Sequence, residues 1–207
     1  MKRRAILAAL GTAMGVTAGC VDDLNGDTGN KDDAADTVAG HFDTGPERPE
    51  CEVNSETIEV QRGDETREAD TAATIPYPDP PTAGSEDDVL EYVEEFDHAY
   101  VTQSILCDRS QSGDVLRIGY SVDTREQFGR EGIDHVFVSR AAGATHGIDD
   151  GGGEWVADLG FTGVVYAIDD TGLARTESDT VDSPDVEDIA ADAPDPLEDG
   201  ELVAAFE

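Results

Sequence analysis

The side chains able to do chemistry are few and widely spaced. Cys20 closes the short apolar run "GVTAGC" and has acid on its far side. A thiol is the one side chain that can be turned into a stable thioether, so a cysteine placed there is a candidate for covalent attachment. Two more cysteines, Cys51 and Cys107, leave an even number downstream. They fit a disulfide, two free buried thiols or, least well, a metal site, because no His or Cys stands at ligand spacing from either. The histidines are His41, His98, His135 and His146, and none is paired with another at ligand spacing. Tyr92, His98 and His135 are the groups that would serve acid–base catalysis if the fold gathered them in one pocket. Ser121 lies in "GYSVD", which lacks the final glycine of a nucleophile elbow and reads as strand. "GGGEW" lacks the helix start and lysine of a phosphate loop. Asp23, Asn25 and Asp27 open like a calcium loop, but Thr28 replaces the glycine and Ala34 the last glutamate. Carboxylates are so numerous that no pair of them signals a site. The sequence therefore designates no catalytic, cofactor-binding or metal-binding residue.

The elements that must place these groups begin with the leader. Lys2, Arg3 and Arg4 precede an apolar stretch, Ala5 to Val16, of the length of a signal h-region. It is shorter than the roughly 20 apolar residues a membrane-spanning helix needs. Thr17, Ala18 and Gly19 are small, and cleavage after them would leave Cys20 first.

Charge comes next. The chain carries 48 acidic and 13 basic residues, for a formal net charge of −35. Loss of residues 1–19 would remove three bases and no acid, giving −38, with Lys31 the one remaining lysine. Disorder fits only the ends, since the middle has clean apolar periodicity. A cation store would need the acid concentrated, and it is spread over almost every segment. Molar salt fits best: the Debye length falls from about 10 Å at 0.1 M to about 3 Å at 1 M, which screens self-repulsion. A polyanion of this kind excludes nucleic acid as a partner.

Along the chain, residues 20–49 read as an acidic, disordered tether and 50–176 as a globular domain. "CEVNSETIEV" reads as a first strand, with Ile58 and Val60 on one face. Residues 85–106 predict a long helix: Ser85 and Asp88 form a capping box, and Val89, Val93, Phe96 and Tyr100 share a face. "DVLRIGYSVD" and "GIDHVFVSRA" predict strands, and "EWVADLGFTGVVYAID" one long strand or two short ones. The expected fold is α+β, one long helix packed on a curved antiparallel sheet. Residues 177–207 read as an acidic tail, whose last residues, "ELVAAFE", either hang free or add an edge strand.

Resemblances extend this reading. "TAGC" resembles a lipobox, with Thr17 where the family has an apolar residue, which implies lipid on Cys20. Arg3-Arg4-Ala5-Ile6-Leu7 resembles the twin-arginine export signal of proteins moved in folded form. The acid excess and scarce lysine are similar to haloarchaeal proteins. "YPDPP" and "VVYAIDDTGLART" resemble haloarchaeal lipoproteins, a likeness that implies a place on the external face of the cell membrane and no chemistry. Element order from 85 to 175 resembles cystatin-like and NTF2-like folds, without the inhibitor motif of the former. The expected function is a non-catalytic binding module of the envelope, with another envelope protein, a polymer or a small solute as partner. The alternative is an enzyme with its pocket between helix and sheet.

Overall fold

The computed structural model describes residues 36–81, 85–108, 113–179 and 186–206. A short 3-10 turn, Ala39–His41, is followed by β1 (Thr57–Arg62), β2 (Glu65–Asp70) and helix α1 (Glu86–Cys107). Strands β3 (Asp114–Arg130), β4 (Ile133–Ile148), β5 (Glu154–Val156), β6 (Phe161–Ile168) and β7 (Gly172–Ser178) come next. Helices α2 (Val186–Asp192) and α3 (Pro196–Asp199) lead into β8 (Glu201–Ala205).

Helix α1 begins where the sequence places it. The Ser85 side chain accepts from the Asp88 N–H, and the Asp88 carboxylate accepts from the Ser85 N–H at 2.8 Å. Glu86, Asp87 and Asp88 meet the positive end of the helix dipole. Of the expected apolar face, Val93 and Phe96 are wholly buried, while Val89 and Tyr100 pack at its margin.

The main sheet is antiparallel throughout, in the order β3-β4-β6-β7-β8, with β5 attached to β4. β3 and β4 form a hairpin of 17 and 16 residues. Glu131 and Gly132 turn it, both at positive φ (54° and 87°), as a tight two-residue hairpin turn requires. Bulges at Val115/Arg117, Arg117/Ile118 and Val122/Thr124 break the register and curl the sheet.

Both faces of the sheet are covered over its lower half. On one, Val93 and Phe96 of α1 pack on Val136, Val138, Val164 and Tyr166. On the other, Phe137 and Val165 meet Ile189 of α2, while Ala167, Ala174 and Leu202 surround Val38. This double burial explains the unbroken "VVYAI" of β6, since strands buried on both faces lose polar alternation.

The α+β class and the 22-residue helix agree with expectation, but α2 and α3 mean that the helix is not alone. Two boundaries are corrected. The expected tether does not run free to residue 49: Val38 is 0% exposed, and its N–H donates to Asp169 Oδ2 at 2.8 Å. The Ala39 N–H donates to Thr171 Oγ1, and Arg48 lies over the Tyr77 ring. Burying a valine of this kind is worth about 1.5–3 kcal/mol, enough to dock a segment that is otherwise polar. The expected acidic tail is likewise part of the domain. Glu187, Asp188, Asp192, Glu198 and Asp199 are exposed while Ile189, Leu202 and Val203 face in, and β8 pairs with β7. The first strand expected in "CEVNSETIEV" is present as β1, which begins at Thr57 and pairs only with β2, in a hairpin separate from the main sheet.

Candidate functional site

Cys20, Arg3 and Arg4, expected to carry lipid attachment and export, lie outside the described residues, as does the whole of the expected leader, residues 1–19. Cys51 and Cys107 form a disulfide, with sulfurs 2.01 Å apart, which ties the segment before β1 to the last residue of α1. Among the described residues no helix is long and apolar enough to cross a membrane.

The three groups named for an acid–base site do not meet. Tyr92 is buried in the core beside Phe96 and Phe206. His98 sits on the outer side of α1, stacked on Tyr120 with ring centroids 4.3 Å apart. His135 is buried on the opposite face of the sheet, stacked on Phe128, with Asp195 Oδ1 3.7 Å from Nε2. The space between helix and sheet, where the alternative reading puts an enzyme pocket, is filled by Phe96 and Tyr166 in edge-on contact. His41 ends the short first turn, exposed, beside the Thr37 carbonyl. Ser121 faces solvent on β3. The "GGGEW" loop closes on itself, with Asp149 Oδ1 accepting from the Gly151 and Gly153 N–H groups.

A cluster of polar groups surrounds the middle of α1. An open groove of about 520 Å³ is lined by Asp87, Glu91, Glu94, His98, Tyr120 and Arg125. Arg125 of β3 makes an ion pair with Glu94, and the Tyr120 hydroxyl donates to the Glu94 carbonyl at 3.3 Å. Behind the groove lies Asp97, 0% exposed. Its Oδ1 accepts from the Tyr166 hydroxyl at 2.6 Å, and its Oδ2 contacts the Arg140 guanidinium. The Arg140 Nε–H is not aimed well enough at that oxygen to form a hydrogen bond, so the contact is a buried ion pair.

This arrangement suits fixation better than proton transfer. Burial pushes the Tyr120 and Tyr166 phenols well above their ordinary range, and the nearby Asp97 carboxylate adds to the effect. Burial also lowers His98, against the pull of Asp97 and Glu94, so its ring is neutral near neutral pH. Phenols held protonated and a neutral imidazole stacked on one of them give a rigid, acid-lipped surface. Among the described residues no group of three or more His, Cys, Asp or Glu is placed to hold a metal ion.

Sequence reasoning did not find Asp97, Arg140 or Tyr166 as a set. Asp97 is one of many acids on α1, and its partners come from β4 and β6. The one available signal is Arg140 itself, a base close behind the apolar run "VFV" in a chain so poor in bases. Comparison with known protein families, curated proteins and solved structures finds no match to this chain.

Proposed function

We propose that this protein is a lipid-anchored module of halophilic type on the external face of the cell membrane, which acts by binding rather than by catalysis. Lipid on Cys20, after twin-arginine export, supplies the anchor, and molar salt screens the charge. The partner is another component of the envelope. The observation that carries the non-catalytic part is the filled interface between α1 and the sheet, whose polar groups are engaged with one another. Support for the envelope address comes from the leader and from the disulfide, since disulfides persist in oxidising compartments. The test is Cys20→Ser: the protein is expected to move from the membrane fraction to the medium. Retention of the variant in the membrane, or a native N-terminus that is uncut or bare of lipid, overturns the anchoring.

A further inference from the structure

The upper half of the sheet differs from the lower. On the face that α2 and Val38 cover below, Gly119 and Gly143 oppose each other and Leu159 lies against Gly143. A Cβ at Gly143 would stand 3.3 Å from the Leu159 side chain, and the residue's φ of 151° also favours glycine. Directly opposed residues of an antiparallel ladder send their side chains to one face. Arg117, two residues before Gly119, opposes His146, and His146 opposes Val156. Phe161 opposes Ala141, two residues before Gly143. One face of β3, β4, β5 and β6 thus presents Arg117, His146, Val156 and Phe161 together, with Leu159 between them.

Two features of this row point outward. Val156 and Phe161, 81% and 50% exposed, are the exposed large apolar residues among those described. Every other described arginine has a carboxylate or carbonyl partner: Glu154 for Arg62, Glu65 for Arg67, Glu94 for Arg125, Asp195 for Arg130, Asp97 for Arg140, Glu177 for Arg175 and the Val203 carbonyl for Arg48. Among the described residues the Arg117 guanidinium has none, in a chain rich in acid. A guanidinium presents a fork that matches a carboxylate in bidentate fashion.

We infer that this face is a docking site for an extended acidic peptide segment of an envelope partner, with a carboxylate on Arg117 and apolar side chains on Val156 and Phe161. The inference deepens the binding-module reading and rests on it. Charge complementarity selects the occupant: a basic segment would meet Arg117 unfavourably and leave it unpaired. Strands lie about 4.8 Å apart, so the row from Arg117 to Val156 spans about 10 Å, the width an extended segment with alternating side chains can cover. In molar salt the net repulsion of two acidic chains is screened, and short-range pairing and apolar burial decide.

The test uses the full chain in molar KCl and a fluorescein-labelled octapeptide alternating aspartate with valine, alongside its asparagine–valine analogue. The acidic peptide is expected to bind at least about tenfold more tightly than the amide analogue, the scale of a charge-assisted bidentate pair. Arg117→Gln is expected to abolish that preference, and Val156→Ser with Phe161→Ser to weaken both peptides. Arg67→Gln, which touches an exposed pair with Glu65 inside the separate β1–β2 hairpin, is expected to change neither. Thermal melts of each variant confirm that it folds. Equal affinity for the two peptides, wild-type binding by Arg117→Gln, or no binding at millimolar peptide overturns the proposal. So does sedimentation showing that the face closes on a second copy, or binding to phosphatidylglycerol vesicles that Arg117→Gln removes. Because no step depends on Cys20, these outcomes are independent of the anchoring test.

Discussion

Replacing Arg140 by methionine tests whether the buried polar cluster holds α1 to the sheet. The substitution keeps most of the volume and removes the charge facing Asp97, which is 0% exposed and keeps only phenol partners. Removing one member of a buried ion pair costs about 3–5 kcal/mol, because the other charge is stranded in low dielectric. That is a large share of the 5–15 kcal/mol, roughly, that stabilises an ordinary domain. Removing both charges differs. Asp97→Leu with Arg140→Met strands no ion and leaves only the Tyr166 hydroxyl unpaired, worth about 1–3 kcal/mol. Adding Tyr166→Phe removes that penalty too, so the triple variant is expected to approach wild-type stability. Urea unfolding at constant molar KCl, followed by far-UV circular dichroism and by the fluorescence of the one tryptophan, Trp155, measures each step. The reasoning fails if Arg140→Met costs less than about 1 kcal/mol, the scale of a surface pair. It also fails if the triple variant is as unstable as the single one.

Further outcomes are expected. Reduction of Cys51–Cys107, separated by 56 positions, should slow the protein on an SDS gel and lower its stability by about 4 kcal/mol on the chain-entropy model. The same mobility with and without reductant would contradict the bond. His135 is lowered by burial, opposed by the Ile133 carbonyl and by Asp195, so the native state binds its proton less readily than the unfolded chain. Its contribution is therefore intact above the ordinary histidine value of about 6.5 and is lost as pH falls from there toward the lowered native value. In His135→Gln the melting temperature should depend less on pH in that window; an unchanged slope would refute the assignment. Below about 0.5 M salt, where the Debye length exceeds about 4 Å, self-repulsion should unfold the domain, seen as loss of near-UV and far-UV dichroism. A sharp melt in dilute buffer would count against the halophilic reading.

The sequence was most readable where one element carries its own signal. The capping box at Ser85 and the stripe through Val93 and Phe96 are local, and they place α1 to within a residue or two. The alternation of Ile118, Tyr120 and Val122 marks β3 in the same way. What stayed hidden depends on distant partners. β3 and β4 run past their apolar stretches, through "TREQFGR" and "AGATHGI", because a long hairpin continues its ladder whatever the side chains. Val38 looked like one apolar residue in a polar spacer, since nothing nearby shows that Asp169 and Thr171 wait to receive its backbone. The acids of residues 186–206 disguised an amphipathic helix and an edge strand, since a surface this acidic makes a solvated face look like a tail. The Asp97 cluster was illegible for the related reason that abundance of carboxylate hides the one that is buried.

The docking of residues 36–49 bears on how the domain would respond to tension on the chain that precedes it. A pull on residue 36 would load the backbone bonds to Asp169 and Thr171 first, at the turn between β6 and β7. Peeling would then proceed past Arg48, stripping Val38 from its cluster and freeing the edge of β8. It would stop at Cys51, where the covalent link hands the force to the end of α1. The disulfide thus works as a mechanical stop: shear from outside can unravel about one short segment, and the helix and the sheet beneath it are spared.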